Sequence, residues 1–178
     1  MLFRPLDIPG LFLIELERME DERGFFSRLF CADSFRARGL CADYPQWSTS
    51  FNSRRGTLRG LHFQVAPHEE IKLVSCTRGA VFDVAVDVRQ GSQSRGEWVG
   101  VELSDDNRST LYIPAGFAHG FQTLTDNAEV RYHISERHVP EAARGVRWDD
   151  PDLAIAWPHT EQRVISNRDR ALPRLRDL

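Results

Sequence analysis

Val81-Phe82-Asp83-Val84-Ala85-Val86-Asp87-Val88 is the stretch on which the fold turns. Phe82, Val84, Val86 and Val88 fall on one face of an extended chain, and Asp83, Ala85 and Asp87 on the other. Successive side chains of a strand point to opposite sides, so a period of two predicts a β-strand with two chemically different faces. The pattern returns downstream. Val99, Val101 and Leu103 alternate with Trp98, Gly100 and Glu102, and Val130, Tyr132 and Ile134 alternate with Glu129, Arg131 and His133.

Turn formers separate these runs. Arg78-Gly79 precedes the first, Gln90-Gly91-Ser92 follows it, and Ser104-Asp105-Asp106-Asn107 follows the second. Many short strands punctuated by turns predict an all-β fold, an antiparallel sandwich or barrel. Helical signals are short. Asp33 to Arg38 reads as a helix capped by Asp33 and ended by Gly39. The polar, proline-punctuated tail after Trp157 reads as turns with one short helix. No internal repeat and no second domain is evident, so one domain over residues 1–178 is expected.

The formal net charge of −3 argues against broad capture of nucleic acid or an anionic membrane. The basic cluster of Arg54, Arg55 and Arg59 is small enough to suit a phosphate ligand instead. No apolar run approaches the roughly 20 residues needed to cross a bilayer. The stretch Met1-Leu2-Phe3-Arg4-Pro5 lacks the apolar core of a signal peptide. Three cysteines (Cys31, Cys41 and Cys76) cannot all pair with one another, and no C-x-x-C occurs. Reduced thiols in a cytoplasmic protein are therefore expected.

Polar residues at inward positions are costly unless they serve a ligand or one another. Asp83, Asp87, Glu129, Arg131 and His133 therefore face solvent or line a wet cavity, and periodicity leaves both open. In Leu58-Arg59-Gly60-Leu61-His62-Phe63-Gln64, alternation puts Gly60, His62 and Gln64 on one face and Arg59, Leu61 and Phe63 on the other. His62 suits a general base near neutral pH, or a hydrogen-bonded structural role. The missing side chain of Gly60 would let a ligand approach the backbone. Lys72 interrupts the apolar run Ile71-Lys72-Leu73-Val74, either to stabilise a developing oxyanion or as a rim lysine reaching solvent.

His119, in Pro114-Ala115-Gly116-Phe117-Ala118-His119-Gly120-Phe121, reads as a second polar ligand or as part of a structural turn. Tyr132 is a candidate general acid or a packing residue. Asp169, in Ser166-Asn167-Arg168-Asp169, would orient His62 if the tail folds back, and is otherwise a turn aspartate. There is no H-x-H, H-E-x-x-H, G-x-S-x-G or glycine-rich phosphate loop. No metal site is expected from these spacings.

Taken together and in order, these segments resemble the dTDP-4-dehydrorhamnose 3,5-epimerase family. The resemblance runs from Asp21-Glu22-Arg23-Gly24-Phe25-Phe26 through Gly56 to Gln64, Lys72-Leu73-Val74, Arg78 to Val84 and Ile113 to Phe121. It closes with Arg144 to Pro151 and Ser166 to Asp169. It implies a cupin-type jelly roll without catalytic metal or other cofactor, working as a homodimer on a nucleoside-diphosphate 4-keto-6-deoxy sugar. By resemblance His62 is the base, Asp169 its partner, Tyr132 the acid on the opposite face of the sugar, and Lys72 the group that stabilises the enolate oxygen. Arg23, Phe26, Gln46, Arg59 and His119 take ligand-binding places.

Three departures fall at recognition positions. Arg28 stands where the family commonly has glutamate. Gln46-Trp47-Ser48-Thr49-Ser50-Phe51-Asn52 is one residue longer than the usual Q-x-N-x-S stretch. His138 replaces an aromatic two residues before Pro140. The expected activity is inversion of C3 and C5 of dTDP-4-keto-6-deoxy-D-glucose. Competing readings are a single-centre epimerase on a dTDP-, CDP- or GDP-linked sugar, a non-catalytic sugar-nucleotide-binding jelly roll, and a metal-dependent cupin oxygenase.

Overall fold

Alternation becomes two facing sheets in the computed structural model, which describes residues 1–161 and 163–178. The strands are β1 (Leu2–Pro5), β2 (Phe12–Glu15), β3 (Met19–Asp21), β4 (Gly24–Phe26), β5 (Gln46–Asn52), β6 (Leu58–Gln64) and β7 (Lys72–Arg78). They continue as β8 (Ala80–Asp87), β9 (Trp98–Ser104), β10 (Thr110–Ile113), β11 (Phe117–Thr123), β12 (Ala128–Ile134) and β13 (Ala143–Gly145). One sheet has the order β1-β2-β10-β7-β12-β5, the other β13-β6-β11-β8-β9, and β3-β4 is a separate hairpin. Neighbours within the sheets run antiparallel. The result is the all-β, cupin-type jelly roll expected.

Two apolar clusters explain why β8 is buried on both faces. Between the sheets, Val81 and Ala85 of β8 pack with Val74, Leu111, Phe121 and Val130. On the outer side of the five-stranded sheet, Val84, Val86 and Val88 pack with Leu153, Trp157 and Leu175 from the long tail that follows β13. The acid-bearing face of β8 is therefore the inner one, and both Asp83 and Asp87 are fully buried. Asp87 is met by Arg89, Ser92 and Ser94 at the end of the strand. Burial alone would raise its pKa, but these hydrogen bonds outweigh it and hold the carboxyl well below the usual range.

On β12 the facing is reversed. Val130 and Tyr132 belong to the inter-sheet side. Arg131 and His133 line an outer groove of about 690 Å³ with Phe25, Phe26 and Leu29 near the β3-β4 hairpin.

The short helix α1 covers Ala32–Arg36, with Cys31 rather than Asp33 at its start and no side-chain cap. Phe35, fully buried beside Ile14, Leu73 and Tyr112, sets its position. Asp33 instead sits in the first turn, 3.4 Å from Arg36. Gly39 supplies the left-handed turn that ends the segment, at φ +69°.

The tail is stitched to β6 and β13. The Leu58 N–H donates to the Val164 carbonyl at 2.8 Å, and the Arg147 N–H to the Pro173 carbonyl at 2.8 Å. Gly145 makes room for this docking, because a Cβ there would lie 2.7 Å from Leu172 Cδ1. The tail then forms α2 (Asn167–Arg170), capped by the Ser166 hydroxyl accepting from the Asp169 N–H, and a 3₁₀ turn at Leu175–Asp177. Among the described residues no helix is long and apolar enough to cross a membrane.

Candidate active site

A cavity of about 670 Å³ opens between the sheets and is closed on one side by the tail. That volume suits a small organic ligand. Strands β6 and β11 contribute Arg59, His62 and His119; β5, β7 and β12 contribute Gln46, Ser48, Lys72 and Tyr132; the tail contributes Arg168 and Asp169.

Strict alternation would place Arg59 and His62 on opposite faces, yet both line the cavity. The reason is an irregularity in the β6–β11 ladder. His62 pairs with His119 and Arg59 with Phe121, so three steps on β6 answer two on β11. A bulge of this kind flips the parity of the residues beyond it. Gly60 lies inside that step at φ +120°. Its missing side chain admits β11 rather than a ligand: a Cβ would lie 2.6 Å from Gly120 Cα and 2.8 Å from the His119 carbonyl oxygen. The structure corrects the expectation on this point.

The Gly60 N–H donates to Asp169 Oδ2 at 3.2 Å, and Asp169 Oδ1 lies 2.8 Å from His62 Nε2. Asp169 is 5% exposed, so the carboxylate sits behind the imidazole rather than in the cavity mouth. Burial pushes its pKa up. The hydrogen bond and charge of His62, the Gly60 N–H and Ser166 together outweigh that and hold the carboxyl below its ordinary value. An ionised acceptor at Nε2 selects the tautomer protonated there and leaves Nδ1 with its lone pair.

Across the cavity, burial pushes the Tyr132 phenol well above its ordinary value, against the lowering effect of a hydrogen bond with Ser50 and the charge of Arg59. The phenol therefore stays protonated at neutral pH. Its ring meets the His119 ring edge-on at 6.0 Å. His119 is itself buried, with Nε2 at 2.9 and 3.0 Å from the two oxygens of Asp83. It lies on β11, not in a turn. Lys72 is buried too. Its Nζ pairs with Glu70 at 2.8 Å and donates to the His62 carbonyl at 3.3 Å, which removes the rim reading.

At the mouth, Arg59 Nε donates to Asn52 Oδ1 at 2.7 Å, and the His138 N–H donates to Gln46 Oε1 at 3.1 Å. The Gln46–Asn52 stretch pairs with β12 in unbroken register, so its extra residue makes no bulge there.

Three expected binding residues are not brought to this cavity within the chain. Arg23 sits by the hairpin turn, paired with Asp21, and Phe26 is 69% exposed on β4. Arg28 lines a separate cavity of about 540 Å³ with Met1, Glu17 and Arg38. The cause is topological, because the β3-β4 hairpin pairs with neither large sheet. Conversely, Glu70, Ser48 and Arg168 line the cavity without having been singled out. The signal for Glu70 was its spacing of two from Lys72. Among the described residues, no group of three or more His, Cys, Asp or Glu side chains is arranged to hold a metal ion.

Comparison with known proteins points to one family. The sequence model of the dTDP-4-dehydrorhamnose 3,5-epimerase family matches residues 5–177. The chain is 44% identical to the dTDP-4-dehydrorhamnose 3,5-epimerase of Sinorhizobium fredii over 178 residues, which is 100% of this chain and 91% of that protein. It superposes on the crystal structure of the Elizabethkingia anophelis enzyme of the same name with TM-score 0.96 at 37% identity, covering 99% and 97% of the two chains. It also superposes on a Legionella pneumophila dTDP-6-deoxy-D-glucose-3,5-epimerase in complex with dTDP-4-keto-L-rhamnose, with TM-score 0.92, 41% identity and coverage of 98% and 93%.

Proposed function

The chain belongs to the dTDP-4-dehydrorhamnose 3,5-epimerase family, and from that premise we propose how its cavity inverts C3 and C5 of dTDP-4-keto-6-deoxy-D-glucose to give dTDP-4-keto-L-rhamnose. The observation that carries the proposal is the His62–Asp169 pair at 2.8 Å, facing Tyr132 and Lys72 from the other sheet.

Each inversion exchanges one C–H bond for another. The His62 Nδ1 lone pair takes the proton from the carbon beside the ketone. The C–H electron pair moves into the carbon–carbon bond and the carbonyl electrons onto the C4 oxygen. The Lys72 ammonium stabilises that enolate, and Asp169 stabilises the imidazolium. Tyr132 returns a proton to the opposite face, the enolate collapses to the ketone, and the carbon is inverted. Arg59 and Arg168 suit the diphosphate as cations. Gln46, His119 and His138 suit the remaining polar contacts.

Incubation with dTDP-4-keto-6-deoxy-D-glucose in heavy water tests this. Deuterium is expected at both C3 and C5. Label at one carbon alone reassigns the chain as a single-centre epimerase, and no label from a bound sugar nucleotide sinks the catalytic reading. His62→Ala is expected to lose exchange at both carbons, while Tyr132→Phe keeps some exchange and impairs completed inversion.

The same proposal has the chain acting in the cytoplasm as a homodimer. The three cysteines are free, as a reducing compartment would keep them. Phe26, Met19 and Leu29 are exposed beside Arg23 and Arg28, so a second copy docked there would cover the apolar hairpin and bring those residues to a cavity. Sedimentation at the mass of one chain would remove the homodimer.

A further inference from the structure

Glu70 enters the cavity two residues before Lys72, and no step above uses it. Its Oε1 lies 2.8 Å from Lys72 Nζ, with the two side chains only 11% and 9% exposed. Lys72 also donates to the His62 backbone carbonyl at 3.3 Å, on the strand that carries the base. An ammonium has three N–H donors. Two are committed to protein oxygens, no further acceptor holds the third among the described residues, and Lys72 lines the cavity.

We propose that Glu70 is a positioning residue: it clamps the Lys72 ammonium so that its remaining N–H points at the sugar oxygen that becomes negative when the carbon beside it is deprotonated. A lysine side chain is a flexible four-carbon stem with many rotamers. Left to itself it would reorganise as the oxyanion forms, whereas a donor already held in place does not. A nearly buried ammonium also needs a counter-charge, because an unpaired one is strongly disfavoured. Glu70 meets both needs from the same wall of the cavity.

This inference rests on the epimerase reading, and its test separates the two. If the wild-type protein places no deuterium on the sugar, that reading fails. If the wild type exchanges and Glu70 variants match it, only this inference fails. Glu70→Gln keeps the shape and removes the charge. Its kcat is expected to fall about tenfold or more, with KM and affinity for dTDP changed less than about threefold, the signature of an interaction made mainly in the transition state.

Glu70→Asp is expected to recover part of the loss, and it keeps the test alive if the Gln variant fails to fold. In a Lys72→Met background, Glu70→Gln is expected to cost nothing further, since coupled residues are not additive. A kcat within about twofold of wild type overturns the proposal, as does additivity in the double variant. So does weakened dTDP binding at unchanged kcat, which would place Glu70 on the substrate instead.

Discussion

Strands β8 and β12 carry the same alternating pattern and face opposite ways. On β8 the acids Asp83 and Asp87 point inward, while Val84, Val86 and Val88 point outward. On β12 Val130 and Tyr132 point inward, while Arg131 and His133 line the outer groove. The difference lies in what covers each sheet. The tail lays Leu153, Trp157 and Leu175 over the outer face of β8, so its apolar side is buried there. Its inner face is then free to carry Asp83 beneath His119. Alternation reports a period; the cover decides which side is inside.

Removing the cover should break the contrast most. Trp157 is 5% exposed and packs edge-on against Phe82, with ring centroids 6.1 Å apart. Trp157→Ala is expected to cost roughly 3–5 kcal/mol in denaturant-induced unfolding. A loss under about 1 kcal/mol would mean that the tail does not stabilise the outer face of β8.

The inner acid comes next. Asp83→Ala leaves the buried His119 without its partner and is expected to cost about 1–3 kcal/mol. Activity should drop too, because His119 lines the cavity. An unchanged unfolding midpoint would show that the pair contributes nothing net.

The smallest effect belongs to Glu129 on β12, whose carboxylate accepts from the exposed Thr77 hydroxyl at 2.6 Å. Glu129→Ala is expected to shift stability by less than about 0.5 kcal/mol and leave turnover unchanged. A loss equal to that of Asp83→Ala would erase the distinction between the two strands.

Much of this architecture was legible from local chemistry. The runs at Val81, Val99 and Val130 became β8, β9 and β12 with ends shifted by at most one residue. The site was legible in part. Lys72 stood out as a cation in an apolar run, and Tyr132 fell on the apolar side of its strand, as the structure has it. Alternation puts Arg59 and His62 on opposite faces, because the bulge that joins them depends on β11, almost 60 residues away in sequence. Asp33 reads as a helix cap because capping preferences are local, whereas the burial of Phe35 that positions the helix is not. Arg23 and Phe26 carry a family resemblance and Arg28 departs from it, but a motif has no information about where a detached hairpin sits.

The sequence by itself determined the strand period, the turns between strands and the kinds of chemistry available, because each follows from neighbouring side chains on one stretch of backbone. Only the tertiary structure decided that the acids of β8 face inward, that His62 joins Arg59 on one wall, and that Asp169 arrives behind His62 from 107 residues away. Those outcomes depend on which surfaces cover one another. A covering surface, unlike a period, is set by parts of the chain that are distant in sequence.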